Sequence, residues 1–405
     1  MLGCSSNAKT QPVIRDTSVA VSVSEPTPVS AAETDRIYHA SAHWFDSALG
    51  RMGFNGGMIV AKNGNIVFEK YHGTAHLPGK DSINENTPMQ IASTSKTFTA
   101  MAVLKLWQDG KLNIDDLFSK YFPQFNYPGV TIRTMLNHRS GLPNYLYFMD
   151  ELGWDKTKFV HNQDVLDYLV NYKSRLNNIN PPNKHFEYCN TNFALLALLI
   201  EKTSGQRFPD FMRDSIFTPL QMKSTFIFNP ETYPNAAPSY DWRGRLEPYN
   251  YLDEVYGDKN VYTTPRDLLK WDRALTCGNI FTPATLEQAY TPYSNEKRGV
   301  KNYGLGWRMN IYPNGKKMIY HNGWWHGSNS AFIRLIQDSA TIIIIGNKYN
   351  TNVYKAKMLA PVFGNYLSSD EDDEAENSRM PVTTTPIRRR HIIHHAVTKK
   401  HRRKR

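Results

Sequence analysis

The sequence predicts a mixed α/β (α+β) chain: one antiparallel sheet built from both termini, flanked by helices, with a mostly helical subdomain inserted between its two halves. Three observations predict it. Residues 57–69 read as two strands turning at Asn63-Gly64, a strong two-residue hairpin signal. Two more strand-like runs, 330–336 and 341–345, turn at Asp338-Ser339 near the other end. Between these strand pairs lie long apolar runs with helical spacing.

The elements follow in order. Residues 1–35 are rich in Ser, Thr, Val and Pro and read as a disordered tether. Ala40–Leu49 reads as a helix and precedes the first hairpin. The helical insertion spans about 81–255. In it Phe98, Met101, Val103, Leu104, Leu106 and Trp107 recur at helical spacing, and Gly110 is the stop. Residues 192–200 are apolar on nearly every face, so they predict a buried helix ending at Gly205. Residues 311–320 read as a hairpin turning at Asn314-Gly315. The strand that follows puts His321, Gly323 and Trp325 on one face by alternation. Residues 368–376 are acidic and 379–405 basic, a pattern of solvated tail. The expected organisation is therefore a tether (1–35), one domain (36–366) and a tail (367–405).

Composition bounds the function. A chain of 405 residues, 40% hydrophobic, can bury a large core. The net charge of +11 is uneven: residues 370–405 hold ten Lys+Arg against six Asp+Glu, or +4, leaving +7 elsewhere. The basic tail has no folded reader beside it, so no nucleic-acid partner is expected. Its histidines (His391, His394, His395, His401) fit no defined metal spacing, and neither a metal nor any other cofactor is expected. Cys4, Cys189 and Cys277 offer no disulfide framework. No run of 18 apolar residues reads as a membrane span.

Three short motifs carry chemistry: Ser93-Thr94-Ser95-Lys96, Tyr188-Cys189-Asn190 and His321-Asn322-Gly323. Alone, each is weak. Ser-x-x-Lys also occurs at Ser6/Lys9 in the tether and Ser294/Lys297 in a loop, without a rigid helix behind it. Ser93 instead opens an apolar helix, where the macrodipole favours negative charge on its oxygen. Lys96, three residues on, shares its face and can serve as base when shielded from water. Tyr188 and Asn190 precede the buried helix and should sit on a loop fixed by the core. A tyrosine near an ammonium can accept a proton. Gly323 would let a substrate lie flat against its strand, and the Trp324 backbone N–H could join that of Ser93 as an oxyanion hole. Together these groups form a kit for acyl transfer on a serine.

With these motifs the chain resembles the serine β-lactamase and penicillin-binding-protein superfamily, in particular its class C-like branch of β-lactamases, D-alanyl-D-alanine peptidases and esterases. The segments 91–100, 131–143, 257–268 and 303–307 read like the family too, and the similarity runs from about Arg36 to about Tyr366. The resemblance implies a β-lactamase/transpeptidase-like fold, with the site between sheet and helical part. It implies Ser93 as acylated nucleophile, Lys96 and Tyr188 sharing the proton transfers, Asn190 holding Lys96 and the substrate amide, and His321 lining the site where many relatives have lysine. Cys189 departs from the usual serine or alanine. Histidine in place of lysine tilts the expectation from an efficient β-lactamase toward a peptidase or esterase, with a protonated His321 orienting a substrate carboxylate below about pH 6.5.

The expected activity is hydrolysis of an amide or ester (a D-Ala-D-Ala-type peptide, a β-lactam or a small ester) through a Ser93 acyl-enzyme, with a small-molecule or peptide substrate such as a peptidoglycan-derived one. The alternatives are a penicillin-binding sensor that is acylated without turnover and an adhesion module led by the basic tail. Met1-Leu-Gly-Cys4-Ser-Ser looks like the end of a bacterial lipoprotein signal without its apolar region. Cys4 is thus a lipidation candidate and a route to membrane attachment, and a cell-envelope or periplasmic location is expected.

Overall fold

The structure, a computed structural model, describes residues 21–229 and 236–366. The Cys4 motif and the tail from 367 lie outside the described residues.

Seven antiparallel strands form the main sheet: β1 (Gly56–Lys62), β2 (Asn65–His72), β6 (Lys301–Tyr303), β7 (Arg308–Ile311), β8 (Lys317–Trp325), β9 (Ser328–Leu335) and β10 (Ala340–Gly346). Their order is β2-β1-β10-β9-β8-β7-β6, so the N-terminal hairpin joins the C-terminal strands through β1 and β10. The sheet is built from both ends, as the sequence predicts. The turns are where the hairpin signals put them: Asn63 and Gly64 both have positive φ (53° and 79°), which asparagine and glycine tolerate. Strand β10, Ala-Thr-Ile-Ile-Ile-Ile-Gly, is buried throughout because both faces are covered.

Two layers cover it. Helix α1 (Ala31–Trp44) and the 3-10 segment Thr351–Val362 pack on one face, closing an apolar core of Ile37, Phe45, Met58, Val60, Ile342, Ile344 and Leu359. Helix α1 begins earlier than expected, ahead of the boundary at 36, and Ser30 caps it by accepting from the Glu33 N–H at 3.2 Å. Residues 22–24 are also tied to the body: Ser24 N–H donates to Cys277 O at 3.3 Å and Ser22 N–H to Asn279 Oδ1 at 2.9 Å. The stretch 22–35 is thus part of the fold, which corrects the tether reading there.

On the other face lies the helical part: α2 (Ser95–Gln108), α3 (Ile132–Leu136), α4 (Tyr145–Glu151), α5 (Asn162–Asn171), α6 (Asn190–Ser204) and α7 (Phe208–Met212), followed by α8 (Pro265–Cys277) and α9 (Pro283–Ala289). It holds a small sheet the sequence did not announce, β3 (Met89–Gln90) and β4 (Phe226–Ile227) flanking β5 (Val261–Thr263). Strands this short display no period. Helices α2 and α6 pack together and are buried nearly all round, which explains why their sequences are apolar on most faces. Gly205 ends α6 at φ 73°, as expected of a C-terminal glycine. Among the described residues no helix is long and apolar enough to cross a membrane, and no cluster of three or more His, Cys, Asp or Glu could hold a metal.

Candidate active site

The three motifs meet where the helical part faces β8. Ser93 lies on a single 3-10 turn, Ala92–Thr94, that feeds directly into α2. Ala92 holds a left-handed φ of 47°, an unfavourable conformation for alanine that sharpens the entry to the helix. Neighbours pin the turn. Ser330 Oγ on β9 donates to Ile91 O at 2.7 Å and lies 2.8 Å from Thr94 Oγ1.

Lys96 is fully buried and its ammonium is fully used. Nζ donates to Ser93 Oγ at 3.1 Å, to Asn190 Oδ1 at 2.8 Å and to Asp258 O at 2.9 Å, the three donors an ammonium owns. Asn190 is the first residue of α6. The apolar helix therefore places the amide oxygen that aims the lysine. Nζ also lies 5.0 Å from the centroid of the Tyr188 ring and 5.7 Å from that of Phe193. The Tyr188 hydroxyl is buried and has no hydrogen-bond partner among the described residues. A buried hydroxyl without a partner costs free energy, so this one is poised for a group from outside the chain.

Cys189 is inert. Its thiol is buried, bonded to Leu142 O (3.2 Å), and burial pushes its pKa up to about 11.

His321 is placed in the site, but not in the state expected. It is fully buried, with Nδ1 2.7 Å from Asn322 O and Nε2 3.3 Å from the Tyr303 hydroxyl. Burial first, then the charges of Arg308 and Lys96, hold its pKa well below the usual histidine value. It is neutral at pH 7, and the protonated form expected below about pH 6.5 is pushed to well below that pH, so His321 lines the site as a neutral wall residue. The charge comes from elsewhere. Arg308 on β7, which the sequence reading passed over, stands 4.9 Å from the Tyr188 ring centroid. Tyr188 is thus flanked by two cations, Lys96 and Arg308.

Gly323 also has a different reason. A Cβ there would lie 2.0 Å from Ile91 O and 2.5 Å from Ser330 Oγ. The missing side chain admits the nucleophile turn, not a substrate. Trp324 pairs with Asn329 on β9, while the β7 ladder covers β8 only from Lys317 to Tyr320. The Trp324 backbone therefore sits on a stretch of β8 that β7 leaves uncovered, the geometry a backbone donor to an oxyanion needs.

His138 is a further residue the sequence did not single out. Fully buried at a left-handed φ of 58°, it accepts the Cys189 N–H through Nδ1 at 3.1 Å, and its ring packs at a tilt against Tyr188 with centroids 4.4 Å apart. It thereby holds the middle of the tyrosine motif. Burial, then the charge of Lys96, keeps it neutral as well. Its only sequence signal was its place in the Asn-His-Arg-Ser-Gly-Leu-Pro run.

Comparison with known proteins gives the family. The Beta-lactamase family profile matches residues 43–361. Penicillin-binding protein 4* of Bacillus subtilis (strain 168) is 34% identical over 324 residues, covering 76% of this chain and 71% of that protein. Protein flp of Staphylococcus aureus (strain MW2) is 26% identical over 313 residues, covering 72% of this chain and 59% of that protein. Among solved structures, the octameric penicillin-binding protein homologue from Pyrococcus abyssi superposes with a TM-score of 0.68 at 22% identity, covering 80% of this chain and 77% of that one. The D-amino acid amidase from Ochrobactrum anthropi SV3 gives 0.66 at 22% identity over 82% of this chain and 97% of that one. The chain belongs to the Beta-lactamase family, within the serine β-lactamase and penicillin-binding-protein superfamily of serine hydrolases and acyl-transferases.

Proposed function

We propose that the protein is a serine hydrolase that works through a Ser93 acyl-enzyme, on an amide or ester whose substrate bears a carboxylate. One observation carries the reading: Lys96 Nζ is 3.1 Å from Ser93 Oγ while Asn190 and Asp258 hold it from the other side. When Lys96 is neutral the bond to Ser93 reverses, and the serine O–H donates to Nζ. Ser93 Oγ then bonds to the substrate carbonyl carbon, and its proton passes to Lys96. The unpartnered Tyr188 hydroxyl, beside Lys96, relays that proton to the leaving nitrogen or oxygen as its bond to carbon breaks. Water repeats the steps in reverse and frees the acid. The backbone N–H groups of Ser93 and Trp324 receive the oxyanion.

Arg308 supplies the permanent positive charge that the buried His321 lacks, which supports a carboxylate-bearing substrate. A D-Ala-D-Ala-type peptide, a β-lactam and an acidic ester all meet that description. The similarity to penicillin-binding protein 4* supports the first two, and a cell-envelope location with them. The neutral His321 supports a peptidase or esterase over an efficient β-lactamase.

The test is intact mass after incubation with a penicillin, beside Ser93→Ala. A drug-sized adduct, or drug consumed without one, is expected in the parent and neither in the variant. Equal adduct or consumption in Ser93→Ala would overturn the assignment. A permanent adduct without turnover would make the protein a penicillin sensor.

A further inference from the structure

Behind Lys96, residues 257–261 are stitched to both sides of the nucleophile turn. Thr99 Oγ1 donates to Gly257 O (2.7 Å), Lys96 Nζ to Asp258 O (2.9 Å), the Val261 N–H to Ser95 Oγ (3.0 Å) and the Ile91 N–H to Val261 O (3.0 Å). The same segment carries a second buried lysine, Lys259, 2% exposed. Its ammonium donates to the Tyr145 hydroxyl and to Val255 O (3.3 Å) and lies 3.4 Å from Asp258 Oδ1. Tyr145 in turn donates to Asp258 Oδ2 at 2.9 Å. Nζ stands 5.0 Å from the ring centroids of both Tyr145 on α4 and Trp325 on β8, and Trp325 donates to Asp253 at 2.5 Å. A buried ion pair is costly in free energy and a poor way to gain stability. Here it sits one residue from the carbonyl that holds Lys96.

We propose that Lys259 is a positioning residue for Lys96: its fixed ammonium, held dry by Tyr145 and Trp325 and balanced by Asp258, sets how readily Lys96 gives up its proton to become the base. The inference rests on the reading of Lys96 as proton acceptor. Burial lowers the pKa of Lys259, the Asp258 and Asp253 carboxylates oppose that, and the charge of Lys96 lowers it further. Lys259 directly follows Asp258, whose backbone oxygen accepts from Lys96 Nζ at 2.9 Å, so two buried ammoniums share one dry pocket and repel each other. The other groups around Lys96 are the Ser93 and Asn190 oxygens, the Tyr188 ring with Arg308 beyond it, and His138 and His321, both held neutral. Lys259 and Asp258 are thus the opposed charges behind the base.

The experiment is the pH profile of the second-order rate constant for acylation of Ser93, measured with a chromogenic neutral ester or with penicillin by intact mass. Lys259→Met removes a repelling charge and should move the acid limb up by about one pH unit. Asp258→Asn, which keeps an acceptor for Tyr145, should move it down. The double variant should return it near the parent. A merely structural role would lower rates without this opposed pair of shifts. Should Lys259→Met fail to fold, the downward shift in Asp258→Asn alone decides. Superimposed acid limbs, with Ser93→Ala inert, would overturn this inference and leave the proposed function standing. Acylation of Ser93→Ala at the parent rate would overturn the function itself.

Discussion

The two faces of the main sheet differ in what they bury: the helical side sets a cluster of polar groups within an apolar core of its own. On the α1 face, Met58, Val60, Ile342 and Ile344 meet Ile37, Phe45 and Leu359, and the interior is apolar. On the helical side, Lys96, Thr97, Thr99, His138, Asn192, Asp258 and Lys259 are as deeply buried, yet all are polar or charged. The first interior gains free energy for every methylene removed from water. The second must also satisfy each buried polar group by a specific partner, and one of its hydroxyls, Tyr188, has none among the described residues. Both sides hold the fold through apolar burial, but only the helical side spends part of that stability on a site. The largest expected effects should therefore separate cleanly. Ser93→Ala should remove turnover and leave the melting temperature near that of the parent. Ile344→Ala, at a fully buried position, should cost about 2–5 kcal/mol and leave kcat unchanged wherever the variant is folded. Thermal melts and initial rates on both variants check the pair. A Ser93→Ala protein that melts far lower, or an Ile344→Ala protein that folds well but turns over slowly, would break the separation.

Gly323 lies where the two interiors touch and sharpens the comparison. An alanine Cβ would meet Ile91 O, a backbone atom that cannot swing aside. The nucleophile turn must move away from β8, and a displacement near 1 Å in an acyl-transfer site is worth roughly a 100-fold loss in rate. Gly323→Ala should thus lose kcat about 100-fold while remaining folded. An active Gly323→Ala enzyme would mean that the turn and strand are not rigidly coupled.

How much of this was legible in the sequence follows from distance along the chain. Ser93 and Lys96 are three residues apart, and the hairpins announce themselves by local turn residues such as Asn63-Gly64, so both were readable. The start of α1 was readable too: Ser30 and Glu33 form a capping pattern, passed over because the helix behind it is weakly apolar. The partners of Lys96 at Asn190 and Asp258 lie 94 and 162 residues away. The first came through a motif; the second lies in the family-like segment 257–268, where no role was given to it. Arg308, His138 and Lys259 were missed because only the folded chain brings them to Tyr188 and Lys96. Burial, which residue type alone does not encode, moves the protonated form of His321 well below the pH 6.5 expected from the sequence.

That burial has a stability consequence on the polar side only. His138 and His321 both have folded pKa values depressed well below 6.5. Below about pH 6.5 the unfolded chain therefore binds protons that the folded chain refuses. Stability is full above that pH and falls as pH drops through it, with a slope of up to about 1.4 kcal/mol per pH unit for each ring. Denaturant melts between pH 7.5 and 5 should show the fall, and His321→Gln should remove about half the slope. An unchanged slope in that variant would assign the acid sensitivity to other groups.

The smallest effect belongs to the rim, where neither interior is at stake. Arg266 on α8 grips Glu69 on β2 with two bonds, Nε to Oε1 at 2.7 Å and Nη2 to Oε2 at 2.9 Å. The geometry is that of a strong pair, and it lowers the Glu69 pKa against the desolvation that raises it. Yet the Arg266 side chain is 47% exposed, so water and salt compete with the carboxylate throughout. Holding a long arginine still costs rotamer entropy as well. Arg266→Gln should therefore lose less than about 1 kcal/mol, and the loss should shrink further in high salt. A larger and salt-insensitive loss in denaturant melts would show that the clasp between α8 and the sheet edge behaves like the buried polar side and not like open surface.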